Sequence, residues 1–212
     1  MATQAIVHDT SMVEADAASF ERLGGYSAIG AGLSGLLYSI AFVVLKEPLL
    51  YSIFLMTGGI ASSIVMVALY RRLKAVDAGM AQWAMLLGVV AAIGSVIHGG
   101  YDLGNSINPP ATPNADLPSQ VDPRGLLTFG LAGLALFGVS WLMSKGGGFP
   151  RSLAYLGYAL AALLVVIYLG RLIILSPTNL GILVPAAITG FIVSPAWNIL
   201  VGINLLRARK SN

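Results

Sequence analysis

The sequence predicts an all-α fold: a polytopic membrane bundle of six transmembrane helices with both termini in the cytoplasm. Of the 212 residues, 57% are hydrophobic and only 10% are charged, whereas soluble domains carry about 25% charged residues. The mean hydropathy is +0.82. A helix needs about 20 apolar residues to cross hydrocarbon about 30 Å thick, and six segments meet that requirement. Strand-like alternation of apolar and polar residues, which a membrane barrel needs, is absent from the sequence.

The predicted spans form one transmembrane domain, residues 24–206. They are 24–45, 49–70, 80–101, 125–144, 152–175 and 181–206. A cytoplasmic tail, 1–23, precedes this domain, and a short basic tail, 207–212, follows it. The connection 102–124 is a proline-rich outer loop. The first tail lacks the basic region of a cleavable signal peptide, so we expect the first span to direct insertion.

The distribution of positive charge predicts the orientation. Nine Lys and Arg residues flank the spans on the side of the termini: Arg22, Arg71, Arg72, Lys74, Lys145, Arg151, Arg207, Arg209 and Lys210. The other side has only Lys46 and Arg124. Positive residues favour the cytoplasmic side, so we expect a multi-pass protein of the cell (inner) membrane with both termini inside.

Two ionisable residues fall inside the spans, His98 and Arg171, and such residues are interpreted first as functional. His98, Asp102 and Asn105 have the spacing i, i+4, i+7 and share a face if the third helix continues that far. Tyr168 lies one turn from Arg171 in the fifth span. We therefore expect these five residues to form a ligand-binding site that opens outward. Two alternatives remain: a purely structural ion pair between Arg171 and Asp102, and an Arg171 that extends to the headgroups.

The sixth span contains Pro185 and Pro195, and proline interrupts the helical hydrogen-bond ladder. Trp197 and Asn198 follow Pro195 at a depth where interfacial anchors are not expected. We count both as ligand-binding residues beside a kink. The alternative is a structural bend in which the amide bonds to a neighbouring helix.

A face of small residues runs along the first span. Its members are Ser27, Ala31, Gly35 and Ser39. Small residues let membrane helices approach closely, so this face either packs inside the bundle or docks a separate protein partner.

Several classes of function are excluded by residue counts. The chain has no cysteine, which excludes disulfides, thiol catalysis and thiolate metal sites. Only one histidine lies in a span, so a haem held by two histidines is excluded. Protease, hydrolase and phosphate-binding motifs are absent, and three cations in the C-terminal tail are too few for nucleic-acid binding. We identify no catalytic residue, no metal ligand and no cofactor.

Three short segments carry a resemblance. They are A-L-Y-R-R at 68–72, F-P-R at 149–151 and P-A-W-N at 195–198. In these segments and in its hydropathy the chain resembles uncharacterised bacterial six-helix membrane proteins of the domain-of-unknown-function type. The resemblance covers most of the chain and implies the six-helix fold. It implies no catalytic residues.

The leading hypothesis is that the protein binds or moves a small solute or amphiphile through the outward-facing polar site. The ligand is then a small molecule or a lipid. In the second hypothesis the protein is a non-catalytic accessory or assembly subunit of a larger membrane complex, and the small-residue face contacts another protein. A membrane enzyme is the third hypothesis.

Overall fold

A computed structural model describes residues 10–109, 125–174 and 179–207. Within these ranges the chain is almost entirely helical and contains no strand. The first helix, α1, runs as α-helix Thr10–Ser39 and ends in a π-helical turn, Ile40–Leu45. The next two helices are α2, Pro48–Leu73, and α3, Ala78–Ile107.

The second half of the chain supplies three further helices. The fourth, α4, opens with a π-helical turn, Leu126–Leu131, and continues over Ala132–Lys145. The fifth, α5, is Arg151–Ile173. The sixth, α6, consists of Leu180–Ile188, a π-helical turn Thr189–Val193, and Ser194–Arg207. All six helices are long and apolar enough to cross a membrane, so the predicted number and class of spans are confirmed.

The third helix is longer than the predicted span. It continues from residue 101 to Ile107, because the next restriction on the backbone is Pro109, which disfavours helical geometry at the residue before it. Asn108 accordingly leaves the helix, with φ −126° and ψ 84°. The first six residues of the expected outer loop are therefore helical, and the helix carries Asp102 and Asn105. The remainder of that loop from residue 110 onward, 110–124, lies outside the described residues.

Short connections hold consecutive helices side by side. Between α1 and α2, Lys46 adopts the left-handed conformation at φ 56°, and its N–H bonds to the Ala41 carbonyl. Pro48 then occupies the first turn of α2, where its missing N–H has no partner to lose. Asp77 caps α3, accepting a hydrogen bond from the Met80 N–H at 2.9 Å.

The helices form a closed ring. Each packs against its neighbours in sequence, and α6 returns to pack against α1. Glycines allow the closest approaches, as membrane helices require. A Cβ added at Gly202 of α6 would lie 2.6 Å from the Gly25 carbonyl oxygen of α1. A Cβ at Gly59 of α2 would lie 2.8 Å from the Ala92 carbonyl oxygen of α3.

The small-residue face of α1 takes part in this internal packing. Ala31 and Ser39 are buried. Ser39 fits against Gly190, and Gly35 faces the hydroxyl of Ser194. Close contact with α6 therefore accounts for the small residues at the C-terminal half of this face.

Packing is densest at one end of the ring. We call this the basic end, because the ends of α2, α4 and α5 that lie there carry Arg71, Arg72, Lys145 and Arg151. The largest fully buried side chains of the described chain are Leu69, Leu73, Val139, Ser140, Leu142, Met143, Leu160, Val201, Leu205 and Ser52. All except Ser52 lie in the half of the bundle nearer the basic end. The other half, which we call the pocket end, contains His98, Asp102 and Asn105 of α3.

Arg72 joins three parts of the chain at the basic end. Its Nη1 lies 3.4 Å from Glu21 Oε2 of α1, and its Nε donates to the Gly147 carbonyl at 3.1 Å. The guanidinium also lies over the Phe149 ring, 5.9 Å from its centroid. Gly147 and Gly148 have φ of 80° and 73°, a conformation that glycine adopts without strain. The α4–α5 connection is thereby held against the ends of α1 and α2.

Candidate functional site

His98 and Asp102 lie together at the pocket end of α3. Their Nε2 and Oδ2 atoms are 3.6 Å apart, and the side chains are 12% and 20% exposed. His98 Nδ1 lies 3.4 Å from the Thr128 hydroxyl of α4. The continuation of α3 beyond residue 101 places the two side chains one turn apart on one face. The histidine thus lies between a carboxylate of its own helix and a hydroxyl of the next one.

A pocket of about 450 Å³ opens beside this pair, between the start of α2 and the end of α3. Its lining residues are Glu47, Pro48, Leu49, Tyr51, Asp102, Asn105, Ser106 and Pro109. The volume lies within the range of about 300–1,000 Å³ that is typical of small-molecule sites. Two carboxylates, an amide and two hydroxyls accompany apolar side chains in this lining. The pocket can therefore offer both hydrogen-bond acceptors and donors to a small molecule.

Three aromatic rings pack together beside the pocket. Tyr38 and Phe42 of α1 stack with their centroids 5.7 Å apart. Tyr51 of α2 meets the Phe42 ring edge-on at 5.2 Å and the Tyr38 ring at 6.2 Å. Tyr51 also lines the pocket, so this cluster forms an apolar support for one of its walls.

The sequence does not predict Glu47 and Tyr51 as lining residues of a site, or Tyr38 as part of the aromatic cluster beside it. The i, i+4 spacing of Tyr38 and Phe42 was the available signal for an aromatic face on α1. Which helix that face meets depends on how α1 and α2 rotate against each other, and residue spacing does not give that rotation.

Tyr168 and Arg171 lie one turn apart near the end of α5, where Tyr168 is half-buried and Arg171 exposed. The ion pairs of the described residues include one between Asp102 and His98 and none between Asp102 and Arg171. The structure thus brings together His98, Asp102 and Asn105 on α3, and neither Tyr168 nor Arg171 lines the pocket.

Trp197 and Asn198 lie in another part of the bundle. Trp197 is about 25 Å along the α6 axis from Leu180, at 1.5 Å per residue, and is therefore nearer the basic end. Asn198 Nδ2 donates to the Ser194 carbonyl at 2.9 Å, so its amide bonds within α6. The π-helical turn Thr189–Val193 immediately precedes the segment that contains Pro195, and such turns accommodate a break in the helical ladder. Neither residue lines the pocket at the other end.

The described residues include no group of three or more His, Cys, Asp or Glu side chains that could hold a metal ion. Comparison of the chain with family models, with curated proteins and with solved structures gives no match. The function is therefore inferred from the geometry of this chain alone.

Proposed function

We propose that this protein is a multi-pass protein of the cell membrane that binds, or moves, a small solute or amphiphile at the pocket between α2 and α3. The observation that carries the proposal is the pocket itself. It combines Asp102 and Asn105, which the sequence singles out, with Tyr51 of α2 and with Glu47, the residue that precedes α2. Polar groups that converge in a pocket of this size are characteristic of ligand sites.

Each residue of the pocket lining can make a different kind of interaction with a ligand. Asp102 and Glu47 are hydrogen-bond acceptors when ionised, while the Asn105 amide both donates and accepts. Tyr51 presents an aromatic surface with a polar hydroxyl, which suits the apolar part of an amphiphile. His98 contacts Asp102 from the side. The proposal is a site in which ligand donors meet Asp102.

The pocket end is assigned to the outside of the cell. This assignment rests on the nine cations on one side against two on the other and on the preference of positive residues for the cytoplasm.

Asn108 and Ala75 are exposed at the two ends of α3, and the absence of native cysteine makes single-cysteine variants unambiguous. In intact cells Asn108→Cys should react with an impermeant maleimide and Ala75→Cys should not. The opposite labelling pattern would place the pocket in the cytoplasm.

Native mass spectrometry of the gently solubilised protein tests whether the pocket holds a ligand. We expect the wild-type protein to retain a small-molecule or lipid adduct and the Asn105→Ala variant to lose most of it. Asn204→Ala is the matched control, because Asn204 bonds to the carbonyl of Leu200 within α6 near the basic end. That variant should retain the adduct.

Two results would contradict the proposal. An adduct that Asn105→Ala and Asn204→Ala retain equally would have to bind elsewhere on the protein. Co-purification of another membrane protein at fixed stoichiometry, with no adduct in the pocket, would instead favour the accessory-subunit hypothesis.

A further inference from the structure

The described lining of the pocket between α2 and α3 carries negative charge. Its acidic side chains are Glu47 and Asp102, and the described lining includes no Lys, Arg or His. Lys46 and Arg171 are exposed and lie outside it. Asp102 pairs with His98, whereas Glu47 makes no ion pair with any described residue. A ligand in the pocket therefore meets at least one carboxylate that no described cation pairs with.

The two helix ends at the pocket do not reverse this charge. The helix α2 begins there, at Pro48, and α3 ends there, at Ile107. The N-terminus of a helix acts like about half a positive charge and the C-terminus like about half a negative charge, so the two dipoles largely cancel. The full charges of the carboxylates therefore decide the sign of the potential in the pocket.

The polar groups of the lining offer more hydrogen-bond acceptors than donors. Ionised carboxylates only accept hydrogen bonds. Ser106 Oγ donates to the Leu103 carbonyl at 2.8 Å, so its hydroxyl has only acceptor capacity left for a ligand. The side chains that can donate are those of Asn105 and Tyr51. An excess of acceptors suits a ligand group that only donates, and a primary ammonium has three N–H donors and no acceptor.

Apolar and aromatic side chains form the rest of the described lining. They are Pro48, Leu49, Tyr51 and Pro109. An inorganic cation such as Ca²⁺ or Mg²⁺ binds through oxygen ligands and gains nothing from such surfaces. An organic cation buries its carbon atoms against them, and its positive charge is also attracted to an aromatic ring. The lining therefore suits a cation that carries an apolar group.

We propose that the pocket selects a primary organic ammonium, whose N–H groups donate to Glu47 and Asp102 and whose apolar group lies against Leu49 and Tyr51. This inference rests on the proposed function of the pocket and names the chemical class of its ligand. The carboxylates supply the selection for positive charge, and the apolar side chains supply the selection for an amphiphile over a metal ion.

The test compares three probes that share one phenylbutyl group and differ in charge. They are phenylbutylammonium, phenylbutanol and phenylpentanoate, which are positive, neutral and negative. Isothermal titration calorimetry measures their binding to the full chain in a non-ionic detergent, with protein-free micelles as the blank. We expect the ammonium to bind about tenfold or more tightly than the alcohol, the ratio that one charged hydrogen bond gives. The carboxylate should bind more weakly than the alcohol.

Two variants remove the negative charges and keep the shape of the side chains. Glu47→Gln and Asp102→Asn should each weaken binding of the ammonium by about tenfold and leave binding of the alcohol nearly unchanged. The double variant should bind the two probes equally well. Because Glu47 is exposed and precedes α2, Glu47→Gln tests the proposal even if Asp102→Asn does not fold.

Asp77→Asn is the matched control for Asp102→Asn. It removes a carboxylate from the opposite end of the same helix, where Asp77 caps α3 and asparagine caps a helix about equally well. Since Asp77 lies outside the pocket lining, this variant should keep the wild-type preference for the ammonium. Partition of the probes into micelles is the same for every variant and cancels in the comparison.

Four results would overturn the inference. They are equal affinity of the wild-type protein for the ammonium and the alcohol, tighter binding of the carboxylate, no binding of any probe, and a preference for the ammonium that persists in the double variant. Native mass spectrometry separates these failures from failure of the proposed function. If the wild-type adduct is present and Asn105→Ala loses it, the pocket binds a ligand of another class and only this inference falls. If neither an adduct nor a probe binds, both fall.

Discussion

Replacing Arg72 by alanine should destabilise the bundle by removing three contacts at once. The ion pair with Glu21, at 3.4 Å with both side chains about a quarter exposed, contributes about 0.2–1 kcal/mol. The hydrogen bond from Arg72 to the Gly147 carbonyl, at 3.1 Å, contributes about 1.5–3 kcal/mol because its donor is charged. The contact with Phe149 adds about 0.5–1 kcal/mol.

Since water reaches this end of the bundle, we take the low end of each contribution. The expected loss for Arg72→Ala is then about 2 kcal/mol in the free energy of unfolding. Glu21→Gln removes only the ion pair and should cost less than about 1 kcal/mol. Arg72→Lys keeps the charge but loses the planar guanidinium, so its stability should fall between that of wild type and that of Arg72→Ala.

Reversible unfolding in mixed detergent micelles, followed by tryptophan fluorescence, measures these differences. Arg151→Ala is the control, because Arg151 is an exposed arginine at the same end and should leave stability nearly unchanged. If Arg72→Ala were no less stable than Arg151→Ala, the inference that Arg72 joins α1, α2 and the α4–α5 connection would be refuted. Equal stability of Arg72→Lys and wild type would show that charge alone matters at this position.

Three further predictions concern α3. Gly99→Ala should cost about 1–3 kcal/mol in the free energy of unfolding through overpacking, because its Cβ would lie 2.7 Å from a backbone carbonyl oxygen of α2. Gly100→Ala is the control: its Cβ would meet no atom within 4 Å, so this variant should be neutral or stabilising in the same unfolding assay. Asp77→Ala should cost about 1 kcal/mol through loss of the N-cap, and Asp77→Asn should restore most of that stability. His98→Ala removes the contact with Asp102 and should reduce adduct retention in native mass spectrometry, and unchanged retention would remove His98 from the site.

The number of spans could be predicted because a bilayer imposes a minimum apolar length on every helix. Their ends were less predictable, because hydropathy and helical hydrogen bonding stop at different residues. In α3 the apolar run ends before Asp102, whereas the helix continues until the backbone restriction at Pro109. The π-helical turn Ile40–Leu45 has no proline and no sequence signal that we recognise.

The candidate site was predictable where its residues share one helix. The spacing of His98, Asp102 and Asn105 anticipates a common face, and α3 provides it. Contributions from other helices were not predictable, because they depend on helix rotation. Gly157 of α5 is an example: a Cβ there would collide with Ser140 Oγ of α4 and lie 2.7 Å from Trp197 Nε1 of α6, and a glycine in an apolar span gives no indication of these neighbours in sequence.

The concentration of buried side chains at the basic end has a mechanical consequence. A rod that is held at one end moves most at the other. The helix α2 has 26 residues and is about 39 Å long, so a tilt of about 3° around its held end displaces its free end by about 2 Å. The contacts near the pivot move much less than that. The pocket end can therefore shift while the densely packed end remains unchanged, with α2 and α3 moving together where Gly99 packs against the Ser52 carbonyl.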